Sequence, residues 1–306
     1  MERNTEKYRG IIPAFYACYD DNGEISIERT KELTEFYIQK GVKGLYVGGS
    51  SGECIYLGKE ERKRMLEAVM SVAKGRITII AHVACNNTRD SQELARHAES
   101  LGVDAIAAIP PIYFKLPAHA IAKYWNDISS YAPNTDFVIY NIPQLAGVEL
   151  TCDLLREMKK NPRVVGVKNS SMPVMDILKF KDILGVEGVV FNGPDEQLLG
   201  GIAIGADGGI GGTYGVMPEL YIQIFDSFYE GNIARAKAIQ SDCLNIIFAL
   251  CACRGSMYAV IKEILRQRTG IDCGGVRAPL PSLEAEDMAK VSVALRMIEE
   301  AEAKWL

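Results

Sequence analysis

Short apolar runs without charge alternate along the chain with longer stretches in which apolar positions recur at helical spacing. An uncharged run bounded by turn residues is the pattern of a strand covered on both faces. Apolar positions three and four apart predict a helix with one buried stripe. On that basis residues 10–15 form a first strand, and residues 27–40 an amphipathic helix closed by Gly41. Residues 44–48 repeat the strand and residues 59–74 the helix, which again stops at a glycine, Gly75. The same pairing predicts strands at 77–81, 105–109, 137–140, 164–167, 188–191 and 205–210. Between them fall helices at 88–101 and 174–184, one ending near Tyr131, one capped by Thr151, and a short one after Glu196.

Eight strand candidates with seven clear helices between them predict parallel strand–helix–strand units. That number closes a (β/α)8 TIM barrel; a doubly wound open sheet would show fewer units and a nucleotide fingerprint. From Met217 onward the strand pattern stops, and helical patterns at 233–250, 257–268 and 283–305 remain. The expected organisation is a catalytic barrel over residues 1–225. Residues 226–306 then supply the barrel-closing helix, 233–250, and a C-terminal helical layer.

Composition narrows the classes. With 306 residues, 48% hydrophobic and 24% charged, the chain can bury a large core and is not a disordered segment. A formal net charge of −5 and the lack of a basic run argue against a nucleic-acid surface. No apolar run has the length of a membrane span, and the first seven residues lack the apolar segment of a signal peptide, so the expected location is the cytoplasm. The 8 cysteines (Cys18, Cys54, Cys85, Cys152, Cys243, Cys251, Cys253 and Cys273) form no CxxC pair and read mostly as small buried hydrophobes. His82, His97 and His119 show no metal-ligand spacing, so neither a metal nor another cofactor is expected.

Candidate chemistry gathers at the strand ends. Lys168 ends the sixth strand, and a lysine there is costly unless exposed, paired or neutralised. Taken alone it can be a lysine that snorkels to the surface; at the C-terminal tip of a barrel strand it can be an amine nucleophile towards ketones. Ser50 and Ser51 lie in a Gly-Gly-Ser-Ser-Gly loop after the second strand, where N–H groups and hydroxyls can hold a carboxylate. Tyr140 ends the fifth strand and can pass protons beside an amine. Asp195 and Glu196 follow the seventh strand and suit sugar hydroxyls, or simply the first turn of a helix. The glycine run 208–212 sits where barrels often hold phosphate, yet no lysine or arginine occurs between Lys181 and Arg235.

Segments 48–53, 140–143, 166–168 and 205–208, in this order and spacing, resemble the motifs of the dihydrodipicolinate synthase/N-acetylneuraminate lyase superfamily over nearly the whole chain. The resemblance implies a class I, pyruvate-dependent aldolase on a (β/α)8 barrel with a C-terminal helical extension. It implies Lys168 as the Schiff-base lysine, Tyr140 as the proton-transferring tyrosine, and Ser50 and Ser51 as the pair holding the pyruvate carboxylate. Ser50 also joins the proton relay, and Ser170 matches a hydroxyl residue beside the lysine. Tyr113 matches an aromatic residue that reaches into a neighbour's site, which implies a homotetramer. Leu145 stands where the synthases carry a carboxylate-binding arginine, so the chain leans towards the sialic acid lyases. Gly193, Asp195 and Glu196 match contacts to the sugar chain, and Gly212 stands where bacterial lyases have a serine touching that chain. The implied reaction is reversible cleavage of N-acetylneuraminate to N-acetylmannosamine and pyruvate. The alternatives are a dihydrodipicolinate synthase, another pyruvate-dependent 2-keto acid aldolase and, from other classes, a barrel isomerase handling a phosphosugar, disfavoured by the missing basic residues near Gly211, and a non-enzymatic pyruvate- or sugar-binding barrel.

Overall fold

Each uncharged run becomes a strand. The strands are β1 Gly10–Pro13, β2 Gly44–Val47, β3 Thr78–His82, β4 Ala105–Ala108, β5 Asp136–Asn141, β6 Val164–Asn169, β7 Val189–Asn192 and β8 Gly208–Gly211. This is a computed structural model that describes residues 4–306; the first three, part of the polar lead, lie outside the described residues. The strands form an 8-stranded sheet in which sequential neighbours pair in parallel from β2 to β8, and β8 pairs with β1. The seam between β1 and β2 is closed by a bridge from Ala14 to Tyr46, where the Phe15 N–H donates to the Tyr46 carbonyl at 2.9 Å. The result is the (β/α)8 barrel that the spacing predicts.

The helices are α1 Ile27–Gln39, α2 Lys59–Ala73, α3 Thr88–Leu101, α4 Ala118–Ser129, α5 Pro143–Ala146, α6 Cys152–Met158, α7 Met175–Leu184 and α8 Leu198–Ala203. Beyond them come α9 Pro218–Tyr229, α10 Ile233–Leu250, α11 Met257–Thr269 and α12 Met288–Trp305. Thr151 caps α6 as expected, its hydroxyl accepting from the Leu154 N–H at 3.2 Å.

One assignment is corrected. The helix that closes the barrel against β1 is α9, not residues 233–250; α10 packs outside it, on α9 and α12. Helix α9 buries Leu220, Tyr221 and Ile224 towards the barrel, and Ile222, Phe225 and Phe228 also pack on the core. Position 225 lies inside this helix.

The barrel interior is filled. Ile12, Tyr46, Ile80, Val138, Tyr140, Val165, Phe191 and Ile210 form one buried cluster. Tyr8 floors it from below, its hydroxyl donating to Asp136 Oδ2 at 2.8 Å. Burying an Ile or Phe side chain is worth about 1.5–3 kcal/mol, so this cluster is a large part of what holds the strands in register. Strand β6 departs from simple alternation at a register shift opposite Phe137 and Val138. Val165 faces the interior cluster while Val164 and Val167 face the helices. The glycine between is obligatory, because a Cβ on Gly166 would stand 2.2 Å from the Val189 carbonyl oxygen. A bulge re-aims the residues that follow it, and here it brings Lys168 into the barrel mouth.

Candidate active site

Lys168 is 4% exposed and has no carboxylate within ion-pair reach among the described residues. Its Nζ lies 3.9 Å from the centre of the Tyr140 ring and 4.3 Å from that of Tyr46. Burial pulls the amine down to about 7, against an opposing pull from Asp195. Near neutrality a large share of Lys168 is therefore free amine, the nucleophilic form. Two aromatic faces soften the cost of the charged form, and no carboxylate pairs it among the described residues.

Tyr140, on β5 beside Lys168 in the ladder, is also buried. Burial pushes its phenol up to about 12, while hydrogen bonds with Ser50 and Ser170 act in the other direction. The edge of Tyr140 meets the ring of Tyr46 at 5.7 Å and that of His82 at 6.2 Å. His82 Nδ1 is 2.9 Å from the Gly48 carbonyl, and Arg62 donates to the His82 carbonyl at 2.7 Å. These contacts tie β2, β3 and α2 together directly behind the ring pair.

The loop carrying Ser50 and Ser51 is a compact turn. Gly49 and Ser50 carbonyls accept from Cys54 and Glu53 at 3.2 and 3.0 Å. The N–H groups of Ser50 and Ser51 have no backbone acceptor among the described residues, which suits them to an anion. The turn ends in Glu53, whose φ of +54° is left-handed and unusual for a non-glycine residue. Glu53 is held on every side: Lys262 of α11 donates to it at 2.8 Å, Tyr19 at 3.0 Å and the Arg277 N–H at 2.8 Å.

Across the mouth, Asp195 is 8% exposed, and its Oδ2 accepts from the Thr213 N–H and hydroxyl, both at 2.6 Å. Burial raises its carboxyl to about 6, with the Thr213 hydrogen bonds pulling it back. Gly193 is tight against Ser170, because a Cβ there would stand 2.0 Å from the Ser170 hydroxyl. A Cβ on Gly212 would lie 3.3 Å from the Ser51 hydroxyl and 3.5 Å from that of Tyr258. Asparagines end β5, β6 and β7. Asn141 donates to Asn169 at 2.7 Å, and Asn169 donates to Ser171 at 2.9 Å, bracing the rim below these groups.

Lys168, Tyr140, Ser50, Ser51, Ser170, Gly193, Asp195 and Gly212 thus share one mouth, and Glu196 is exposed at its edge. Tyr113 stands apart on the loop after β4, 89% exposed with φ +85° and its ring against Phe114. Leu145 projects from α5, 66% exposed. Sequence reasoning missed Tyr46 and Tyr258. Tyr46 carried a signal, an aromatic at an inward position of β2; Tyr258 lies on a helix outside the barrel and carried none. The sequence also gave no hint of a cavity of about 700 Å³ at the opposite end, beside Lys7, Lys43 and Arg76. Its cations are partly spoken for, Arg76 by Glu35 and Lys7 by Asp104 and Asp136.

A parallel barrel whose mouth holds a lysine with a lowered pKa, a tyrosine ring against it and a turn with N–H groups free for an anion can serve amine-nucleophile chemistry of the class I aldolase kind. The model of the dihydrodipicolinate synthetase family matches residues 7–298, and the chain belongs to that family. It is 62% identical, over 99% of its length and 96% of the relative's, to an N-acetylneuraminate lyase of Mediterraneibacter gnavus. An N-acetylneuraminate lyase 2 of Escherichia coli is 34% identical over 96% of both chains. Among solved structures, a catalytic lysine mutant of the Ruminococcus gnavus sialic acid aldolase superposes with a TM-score of 0.99 at 62% identity, covering 99% of this chain and 100% of that one. A dihydrodipicolinate synthase of Bacillus anthracis superposes at 0.89 with 25% identity, covering 94% and 98%.

Proposed function

We propose that this protein is a lyase that cleaves N-acetylneuraminate to N-acetylmannosamine and pyruvate through a Schiff base on Lys168. The observation that carries the reading is the buried, unpaired amine of Lys168 against the Tyr140 ring, 3.9 Å away. The 62% identity to a lyase, and to an aldolase described by its catalytic lysine, supports it.

The amine attacks C2 of the open-chain sugar acid, water leaves, and an iminium forms that can accept the electrons of the breaking C3–C4 bond. The carboxylate at C1 lies on the Ser50–Ser51 turn. Tyr140 gives its proton to the departing hydroxyl as the iminium forms, and the resulting phenolate, through Ser50, takes the C4 hydroxyl proton as C3–C4 breaks and the aldehyde forms. Burial makes the phenol hold its proton tightly; the iminium forming beside it places a positive charge there and lowers the cost of losing that proton. The enamine then takes a proton at C3, and water releases pyruvate. The iminium supplies the electron sink, so the reading calls for no metal. Asp195, Gly193 and Glu196 face the polyol chain, and Gly212 brings no side chain to the Ser51 and Tyr258 hydroxyls beside it.

Leu145 separates this reading from a synthase. A second substrate carboxylate needs a charge-assisted partner, which an exposed leucine does not supply. We extend the reading to a homotetramer in which Tyr113 enters a neighbouring site, supported by 89% exposure of that ring and 71% of Phe114. The cytoplasm suits eight cysteines that are all free.

The test is borohydride reduction in the presence of pyruvate, followed by peptide mapping, with turnover on N-acetylneuraminate and on aspartate semialdehyde with pyruvate. The expected result is one pyruvate-derived adduct on Lys168 and cleavage of the sialic acid. An adduct elsewhere removes Lys168 from its role, and preference for aspartate semialdehyde overturns the substrate.

A further inference from the structure

Helix α11 lies outside the barrel, yet one of its faces works on the mouth. Tyr258 and Lys262 are one turn apart and so project from the same side. Both reach the same turn, Lys262 at Glu53 and Tyr258 at Ser51, whose hydroxyl donates to the Tyr258 oxygen at 3.1 Å. The Tyr258 ring packs 6.3 Å from Tyr16. Its hydroxyl faces Gly212, where a Cβ would be 3.5 Å away, so the glycine leaves it uncovered.

With Ser51 as the donor to Tyr258, the phenolic proton has no acceptor among the described residues. Burial, with Tyr140 and Asp195 nearby, holds the phenol above its ordinary value, so that proton stays in place throughout the working range. A hydroxyl that accepts one hydrogen bond is the better donor of another. The surrounding turn has no lysine or arginine with which to hold an anion, and must do so with N–H and O–H groups alone.

We propose that Tyr258 is a substrate-contacting residue, its hydroxyl donating to the carboxylate of the 2-keto acid beside Ser51, so that α11 forms part of the site. The inference rests on the Schiff-base reading given above. It goes further in assigning a contact to a residue outside the barrel. Tyr258 thereby sets affinity for the acid end of the substrate and leaves the proton transfers at Tyr140 untouched.

The experiment uses the full chain with Tyr258→Phe, which deletes only the hydroxyl, and measures the pyruvate concentration giving half-maximal borohydride trapping at Lys168. A hydrogen bond to a charged group sets the scale, so that concentration rises about ten-fold. The KM for N-acetylneuraminate rises by a similar factor, kcat stays within about three-fold, and the pH profile keeps its shape. Combined with Ser51→Ala, the two losses are less than additive, because the hydroxyls act as a chain. A folded Tyr258→Phe protein with an unchanged half-saturating concentration overturns the proposal, as does a fall in kcat at constant KM. Absence of any trapping at Lys168 in the unsubstituted protein fells the Schiff-base reading itself, and this inference with it.

Discussion

Lys168 and Lys262 are both almost withdrawn from water, at 4% and 2% exposure, and differ in what surrounds the nitrogen. Lys262 meets Glu53 at 2.8 Å and the Gly275 carbonyl at 2.7 Å, with the Tyr19 ring 4.8 Å below. Lys168 meets two aromatic faces and, among the described residues, no carboxylate. The first arrangement compensates a charge and fixes a loop. The second withholds compensation, which is what the proposed nucleophile needs. A buried lysine is therefore read by its partners: with a carboxylate in contact it holds structure, and without one it is available for chemistry.

The same substitution at both sites separates them. Lys168→Met leaves no turnover and no trapping of pyruvate, while relieving the cost of a buried amine. It is expected to raise stability by about 1–2 kcal/mol in chemical denaturation, as removal of strained functional groups does. Lys262→Met has the opposite effect, stranding Glu53 in the interior and costing about 3–5 kcal/mol. Removing both charges with Glu53→Gln/Lys262→Met recovers part of that loss, about 1–3 kcal/mol; no recovery would mean the pair is not what holds the turn.

The smallest effect is in pH. The folded amine of Lys168 sits near 7, below its ordinary value, so the reactive free base is lost as pH falls through that point. The pyruvate trapping rate should climb about ten-fold per unit below pH 7 and level off above it. A plateau reached only near pH 10 would mean that burial does not tune this lysine.

Much of this was legible in the chain. Short apolar runs, uncharged but for Asp207 in the eighth, pointed to the strands because a parallel barrel buries both strand faces, and Lys168 stood out as a charge where no charge is cheap. The helix Pro218–Tyr229 escaped as a separate element because everything from Pro218 onward reads as helical pattern, and no side-chain cap marks where this helix begins. The bulge that aims Lys168 was invisible, since Gly166 reads as any glycine until the Val189 carbonyl is seen against it. Tyr258 and Lys262 escaped for another reason. Their meaning lies in contacts with residues more than 200 positions earlier, and local pattern carries no record of those. A lysine amid Val260, Ile261, Ile264 and Leu265 was nonetheless an anomaly that could have been flagged.

The Glu53–Lys262 contact spans 209 positions of the chain. During synthesis, the turn that bears Ser50 and Ser51 emerges long before the helix that clamps it. Contacts between distant segments are made late, because the intervening chain must first be brought to order. The barrel strands can associate as they appear, but the carboxylate end of the site takes its final shape only when α11 docks. A nascent chain halted after α9, the helix that closes the barrel, would therefore still lack the clamp on the Ser50–Ser51 turn. The clamp on the Ser50–Ser51 turn thus arrives with the last fifth of the sequence.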